Sequence, residues 1–265
     1  MASKVCAAIC QLRVTADKKA NLARAREFIR LARYRGAELI VLPEMFVCPY
    51  ANHLFPLYAE SFPAGEALSF LSSVAREERI FLVGGSLPEK EGDHLYNASF
   101  VFDPEGKLIA RYRKMHLFDV DLPHLRYRES EIFQPGKEVV VFPTPWGEVG
   151  LAICFDLRFP SLFRKLVRRG AKIIAVPAAY NLITGPAHWE LLVRSRALDN
   201  QIYLLGAAPA RDYSAPYVAF GHSLIVSPWA EVLARAGAGE EVLTATLDLE
   251  YLERVRRELP ILGKD

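Results

Sequence analysis

Short apolar runs alternate with amphipathic stretches along most of the chain. Apolar runs bounded by turn residues are typical of buried strands, whereas apolar positions that recur every third or fourth residue indicate a helix. Strands are therefore predicted at residues 4–12, 38–42, 80–85, 173–176, 202–207, 222–226 and 242–247. Helices are predicted at residues 20–34, 65–78, 160–169 and 188–200.

Two other stretches have the pattern of β-hairpins. In residues 97–112, two apolar arms flank the turn Asp-Pro-Glu-Gly at 103–106. In residues 139–153, two arms flank Pro-Trp-Gly at 145–147. Proline and glycine in short polar segments favour tight turns, so both stretches are predicted to fold back on themselves.

One segment of the chain is repeated in a second place. Gly-Ala-Glu-Leu-Ile-Val-Leu-Pro at 36–43 parallels Gly-Ala-Lys-Ile-Ile-Ala-Val-Pro at 170–177, and each copy follows an amphipathic helix. Two such helix-to-strand units predict two related half-sheets that pack together. Alternating helices and strands without a linker predict a single α/β domain over residues 1–265, with the helices outside.

Composition and charge restrict the partners. The chain has 265 residues, of which 51% are hydrophobic and 24% charged, and its formal net charge is only +2. This length is sufficient for a large core. Scattered, nearly balanced charge argues against nucleic acid or an anionic membrane as the main partner. Without a secretory signal or a sufficiently long apolar run, the protein is predicted to be soluble and cytoplasmic.

The cysteine and histidine positions predict neither a metal site nor a cofactor. The four cysteines have no zinc-type spacing, and the six histidines are dispersed. Cys6, Cys10 and Cys48 are expected to be buried thiols in a reducing compartment. Cys154 is different because it directly follows a predicted strand and precedes a helix.

Three reactive side chains follow predicted strands, namely Glu44, Lys114 and Cys154. Ligands of α/β folds bind beyond the carboxyl ends of strands. A thiol needs a base or a nearby cation to become a nucleophile, and a desolvated glutamate could remove its proton. A lysine could hold the charge that develops on a substrate oxygen. Taken singly, however, such residues are more often a core cysteine, a loop glutamate and a surface lysine.

The segments around these residues change that interpretation. Residues 42–46, 112–117 and 150–160 resemble, in order, the three catalytic segments of the carbon–nitrogen hydrolases, the nitrilase superfamily. The resemblance covers nearly the whole chain and implies a four-layer α-β-β-α sandwich. It also implies that Cys154 is the nucleophile and Glu44 the base. Lys114 and the Phe155 backbone N–H would stabilise the oxyanion, and a thioester would form.

The resemblance implies further site residues. A second glutamate is expected to support the lysine; Glu129 matches it best, and Glu131 is the alternative. The far end of a small substrate needs donors or a cation, for which His116, Tyr180 and Thr184 are candidates. Arg158 is expected instead to pair internally with a carboxylate.

Later segments resemble one group within the superfamily. Residues 118–121, 180–190, 194–201 and 217–223 are similar to those of the omega-amidases, which hydrolyse the terminal amide of 2-oxo acid amides such as 2-oxoglutaramate and 2-oxosuccinamate. The deaminated-glutathione amidase branch shares residues 184–190 and is the alternative. A catalytically silent scaffold, a nitrilase acting on a triple bond and an acyl transferase are other possibilities. A homodimer or higher homo-oligomer is expected, with a small amide and water as the reactants.

Overall fold

The computed structural model describes residues 3–122 and 125–263. The strands are β1 Lys4–Gln11, β2 Leu39–Val41, β3 Glu60–Ser61, β4 Phe81–Val83, β5 Leu87–Glu91, β6 His94–Phe102, β7 Leu108–Arg113, β8 Asp119–Leu122, β9 Leu125–Arg128, β10 Val141–Thr144, β11 Gly147–Leu151, β12 Ala171–Pro177, β13 Tyr203–Ala207, β14 Leu224–Val226, β15 Val232–Arg235 and β16 Glu241–Asp248. The α-helices are α1 Lys18–Tyr34, α2 Phe55–Tyr58, α3 Glu66–Glu78, α4 Pro160–Arg168, α5 Gly185–Asn200 and α6 Leu249–Glu258. Short 3₁₀ helices cover Glu129–Glu131 and Cys154–Arg158.

Two main sheets form the centre of the molecule. The first has the strand order β16-β1-β2-β4-β6-β5-β3, with β7 also paired to β6. The second has the order β10-β11-β12-β13-β14-β15, and β8 pairs with β9 in a separate hairpin. The central strands β1, β2 and β4 are parallel, as are β11, β12 and β13. In each sheet, the carboxyl ends of the central parallel strands therefore lie along one edge.

Side-chain alternation along β1 explains the layering. Val5 and Ile9 belong to the core between the two sheets, whereas Ala8 and Cys10 belong to the core shared with α1 and α3. Successive side chains of a strand point to opposite faces, so a central strand buried on both sides reads as a continuous apolar run. Helices α4 and α5 pack on the second sheet. The α-β-β-α sandwich predicted from the sequence is confirmed.

The repeated segment gives the same local structure twice. Gly36 follows α1 with φ of 90°, and Gly170 follows α4 with φ of 93°. A side chain disfavours this left-handed region, which explains glycine at both helix ends. The two following strands, β2 and β12, lie inside different sheets. The two predicted half-sheets are therefore present and packed together.

Several elements differ from the sequence predictions. Helix α5 begins at Gly185 rather than at residue 188, because Pro186 occupies its first turn. Helix α6 was not predicted, although Asp248 caps it and Leu249, Leu252 and Val255 form its buried face. The short strands β3, β5, β8, β9 and β15 were also missed. Within the described residues, none of the helices is both long and apolar enough to cross a membrane.

The inner face of α5 packs within the subunit. Trp189 and Val193 are buried in the core, and the Arg196 Nε donates to the Leu157 carbonyl at 2.9 Å.

Candidate active site

Four buried side chains meet where strands of both sheets end. Glu44 follows β2, Lys114 follows β7, Glu129 follows β9 and Cys154 follows β11. All four are buried, with Lys114 and Glu129 fully inaccessible. The backbone of Lys114 is also hydrogen-bonded to β6, because its N–H donates to the Asn97 carbonyl at 2.9 Å. The three residues predicted to act together are therefore adjacent, along with the predicted second glutamate.

Lys114 lies between two carboxylates. Its Nζ is 3.0 Å from Glu44 Oε1 and 2.8 Å from Glu129 Oε2. Burial alone would lower the pKa of Lys114, but the negative charges of Glu129 and Glu44 raise this pKa well above its ordinary value. The ammonium therefore keeps its charge and cannot serve as the base. It supplies a fixed positive charge in a site of low dielectric, where such a charge acts strongly.

The two oxygens of Glu44 have different surroundings. Oε1 accepts from Lys114 and, at 2.8 Å, from the Asn97 amide. Oε2 accepts no hydrogen bond from a nitrogen or oxygen of any residue that the structure describes, and the Cys154 thiol interacts with this carboxyl group. Burial raises the pKa of Glu44, Lys114 lowers it and the Glu129 charge raises it, with a net increase. This carboxyl therefore takes up a proton more readily than an ordinary glutamate, and Oε2 is available to receive it.

Glu129 is held by more donors than Glu44. Its Oε2 accepts the Phe118 backbone N–H at 2.6 Å, and its Oε1 accepts Asn97 at 3.0 Å and the Tyr50 hydroxyl at 3.2 Å. These bonds fix the carboxylate against the ammonium of Lys114. The alternative residue, Glu131, is exposed. The geometry therefore favours Glu129 as the second glutamate.

Cys154 occupies a strained turn. Its φ is 46°, which is uncommon for a residue with a side chain, and it opens the 3₁₀ helix 154–158. The Ala179 backbone N–H donates to its Sγ at 3.5 Å. Burial and then the charge of Glu44 raise the pKa of the Cys154 thiol well above its ordinary value, against the opposing effect of Lys114. The resting group is therefore a thiol that needs a base.

Asp156 braces the turn that carries this cysteine. Its Oδ2 accepts the Ile153 N–H at 2.8 Å and the Tyr112 hydroxyl at 2.7 Å. Its Oδ1 accepts the His116 N–H at 3.1 Å and lies 2.6 Å from the His116 Nδ1. Asp156 is fully buried. It was not identified from the sequence, because two of its partners, Tyr112 and His116, lie about 40 positions away in the chain.

His116 lies outside the cavity beside Cys154. Its ring stacks on Phe159, with centroids 3.6 Å apart and planes 9° from parallel. Together with the bond to Asp156, this stacking fixes the ring orientation. The substrate contact expected of His116 stays a prediction, and its position favours a supporting role.

The cavity beside Cys154 offers polar groups for a small ligand. It has about 220 Å³ of open space and is lined by Phe118, Cys154, Phe155, Arg158, Ala179, Tyr180, Thr184 and Tyr217. The hydroxyl of Tyr180 is buried without a hydrogen-bond partner among the described residues. The Thr184 hydroxyl donates to Asn181 Oδ1 at 3.1 Å. Tyr180, Thr184 and Phe155 therefore line the same cavity as Cys154.

Arg158 also lines this cavity, which differs from the sequence-based expectation. Its Nη2 lies 3.1 Å from His188 Nδ1, and its guanidinium lies 5.7 Å from the Tyr180 ring centroid. The expected internal pairing with a carboxylate is wrong for the part of the chain that the structure describes. An arginine that no carboxylate neutralises can bind an anionic group of a ligand.

A second cavity adjoins the first on the side of Glu44. It has about 390 Å³ of open space, and its lining includes Glu44, Cys48 and Tyr50. Ala179 and Tyr217 line both cavities, and the Tyr217 hydroxyl donates to the Ala179 carbonyl at 2.6 Å. Among residues 3–122 and 125–263, His, Cys, Asp and Glu side chains do not cluster in threes as metal ligands would.

Comparisons with known proteins agree with this architecture. The model of the carbon–nitrogen hydrolase family matches residues 6–257. The omega-amidase NIT2 of Xenopus tropicalis is 49% identical over 254 residues, which cover 96% of this chain and 92% of the relative. The human omega-amidase NIT2 is 48% identical, with the same two coverages. The crystal structure of Saccharomyces cerevisiae Nit3, a member of branch 10 of the nitrilase superfamily, superposes with a TM-score of 0.92 at 39% identity and covers 100% of this chain and 97% of that one. This chain belongs to the carbon–nitrogen hydrolase family.

Proposed function

We propose that this enzyme is an omega-amidase, which hydrolyses the terminal amide of 2-oxoglutaramate or 2-oxosuccinamate. The products are the 2-oxo dicarboxylate and ammonia. The relatives named omega-amidase support this activity by their identity of 48–49% over 96% of the chain. The observation that carries the proposal is the buried group of Cys154, Glu44 and Lys114 beside a cavity that contains Arg158, which has no carboxylate partner among the described residues.

The first half of the proposed reaction forms a thioester. Glu44 takes the proton of the Cys154 thiol, and the sulfur attacks the amide carbon. Lys114 and the Phe155 backbone N–H stabilise the negative charge on the substrate oxygen. When the carbon–nitrogen bond breaks, Glu44 returns the proton to the leaving ammonia.

The second half hydrolyses the thioester. Glu44 removes a proton from water, the hydroxide adds to the thioester carbon and the Cys154 thiol leaves with that proton. The cavity on the Glu44 side gives water a place next to the base. Glu129 takes no proton in this scheme; it holds Lys114 in position and balances its charge.

The distal carboxylate of the substrate needs a counter-charge. We assign this role to Arg158. We propose that Tyr180 and Thr184 form hydrogen bonds with the 2-oxo acid end of the substrate. The Tyr180 hydroxyl supports the assignment, because none of the described residues pairs with it and a buried donor without a partner is costly until a ligand satisfies it. His116 is assigned a positioning role through Asp156.

Other activities remain alternatives to this proposal. A deaminated-glutathione amidase would use the same nucleophile with a larger leaving group. An acyl transferase would use the same thioester with an amine as the acceptor. A nitrilase would accept a nitrile in place of the amide. A catalytically silent scaffold is disfavoured because Glu44, Lys114 and Cys154 are all retained.

We also propose a homodimer in the cytoplasm. Leu191 and Leu198 on the outer side of α5 are 63% and 43% exposed, and Trp229 is 50% exposed, which favours a subunit contact on this face. The four cysteines are free thiols, which suits a reducing compartment. Light scattering after size exclusion tests the dimer, and fractionation of cells tests the location.

Ammonia release tests the activity. The substrates are 2-oxoglutaramate, glutamine, a nitrile analogue and deaminated glutathione, the last followed by product chromatography. Release from 2-oxoglutaramate that is lost in Cys154→Ala but retained in Cys10→Ala supports the proposal. Cys10 is a matched control because it is a buried thiol in β1. Cleavage of deaminated glutathione alone would move the enzyme to the neighbouring branch, and full activity of Cys154→Ala would refute the mechanism.

A further inference from the structure

Asn97 lies between the two buried carboxylates. One amino group, Nδ2, donates to Glu44 Oε1 at 2.8 Å and to Glu129 Oε1 at 3.0 Å. Asn97 is fully buried in β6, which supplies none of the groups in the proposed reaction. Its side chain therefore joins the candidate base to the second glutamate without adding charge.

Tyr50 and Lys114 converge on the same pair of oxygens. The Tyr50 hydroxyl lies 3.5 Å from Glu44 Oε1 and 3.2 Å from Glu129 Oε1. Lys114 Nζ lies 3.0 Å and 3.1 Å from these two atoms. Lys114 and Asn97 thus donate to Oε1 of both glutamates, and the single hydroxyl proton of Tyr50 lies between these two oxygens, closer to that of Glu129. Oε2 of Glu44 is left as the oxygen to which no nitrogen or oxygen of a described residue donates.

The charge balance of the site explains why neutral donors contact these carboxylates. Two carboxylates that share a buried site repel each other, so that one of them tends to retain a proton. Lys114 supplies only one compensating charge. Hydrogen bonds from neutral groups stabilise an ionised carboxylate without adding charge. A second cation at position 97 would instead make Glu44 a weaker base.

We propose that Asn97, assisted by Tyr50, is a positioning residue that holds Glu44 Oε1 and keeps Oε2 ionised and directed to the Cys154 thiol. This proposal rests on the proposed roles of Glu44 and Cys154, but it does not depend on which amide is the substrate. Without Asn97, both carboxylates lose a donor that stabilises their ionised form, and Glu44 retains its proton to higher pH.

Several interacting residues determine how the ionisation of Glu44 depends on pH. Lys114, Glu129, Cys154 and Tyr50 interact with the Glu44 carboxylate, and Tyr127, Tyr180 and Tyr217 face it across the site. Of these, Asn97 donates to Glu44 and Glu129 only. A change at Asn97 therefore acts on the two carboxylates before it acts on the thiol.

The test is the rate at which iodoacetamide alkylates Cys154 as a function of pH, followed by mass spectrometry of the Cys154 peptide. This readout needs no substrate, so it separates the present proposal from the substrate assignment. The variants are Asn97→Leu and, as a milder change, Tyr50→Phe. Ser99→Ala is the matched control, because Ser99 is buried two positions along the same strand and its hydroxyl has no hydrogen-bond partner among the described residues.

At low pH the alkylation rate falls, and this part of the pH profile is its acidic limb. Asn97→Leu is expected to move the acidic limb to higher pH by about one unit. It should also lower kcat/KM for the hydrolysed amide roughly 10-fold to 100-fold at neutral pH. Tyr50→Phe should shift the limb in the same direction by less, and Ser99→Ala should leave it in place. Unchanged limbs in both Asn97→Leu and Tyr50→Phe would overturn the proposal, as would an equal shift in Ser99→Ala. If Asn97→Leu does not fold, the Tyr50→Phe profile decides alone. Wild-type Cys154 that is inert at every pH would refute the proposed nucleophile, and this proposal with it.

Discussion

The Tyr112 hydroxyl donates a 2.7 Å hydrogen bond to Asp156 Oδ2, and both side chains are buried. Tyr112 lies two residues before Lys114 on β7, and Asp156 lies two residues after Cys154. The bond therefore connects the segment that carries the ammonium to the turn that carries the thiol. Because these segments belong to different sheets, this contact fixes part of the active-site geometry across the sandwich.

Tyr112→Phe removes this connection without removing the ring. We expect a loss of about 1 kcal/mol in the free energy of unfolding, because Asp156 keeps its other donors. We also expect a lower kcat with a nearly constant KM, because the substrate contacts are intact while the nucleophile and the ammonium are less well aligned. Denaturant unfolding and steady-state kinetics measure the two effects. A raised KM with wild-type kcat would contradict this role.

Glu44→Gln removes the base while retaining the side-chain shape. We expect kcat to fall by at least about 10²-fold, because the thiol loses its proton acceptor and the leaving ammonia its donor. Glu131→Gln is the control, since Glu131 is an exposed glutamate near the site. The control should keep wild-type activity. Comparable losses in the two variants would count against Glu44 as the base.

The same Glu44→Gln variant makes a prediction about stability. The pKa of Glu44 is raised from its ordinary value of 4.5 in the folded protein. A carboxyl with a raised folded-state pKa contributes stability below its unfolded pKa, and this contribution is lost as the pH rises through the folded pKa. The variant should therefore gain stability relative to the wild type as the pH rises above about 4.5. Urea unfolding at several pH values measures this difference, and a gain that shrinks with rising pH would contradict the sign.

Arg158→Met tests the proposed contact to the distal carboxylate. Loss of a charged hydrogen bond should raise KM for 2-oxoglutaramate roughly 10-fold to 100-fold. A neutral amide of the same length serves as the control, and its KM should change little. If both KM values rise equally, Arg158 acts on the shape of the cavity rather than on the charge of the substrate.

The pattern of the sequence predicted two packed half-sheets, the family resemblance implied the sandwich, and both indicated the residues at strand ends. The strands β2 and β11 have a clear apolar pattern, and Glu44 and Cys154 lie within three residues of their ends. Lys114 directly follows β7, which was predicted as one arm of a hairpin. Asn97, Tyr50 and Asp156 were not found, because their roles arise only when distant segments meet. Asn97 and Glu44, for example, are 53 positions apart. Arg158 was misinterpreted because sequence alone does not show which partner an arginine faces.

Short or polar elements account for most of the remaining differences. The strands β8 and β9 are only partly buried or exposed along their length, so they lack the apolar run that marks a core strand. Helix α6 does have a regular apolar face, but many charges surround it. Its apolar spacing and the capping Asp248 together would have predicted it.

The most direct test of the thioester mechanism is mass spectrometry of the enzyme after rapid acid quenching during turnover of 2-oxoglutaramate. We expect a 2-oxo acyl group on the peptide that contains Cys154, and we expect hydroxylamine to remove it. No such adduct should form in Cys154→Ala. An acyl group on another residue, or turnover by Cys154→Ala at the wild-type rate, would contradict the thioester mechanism.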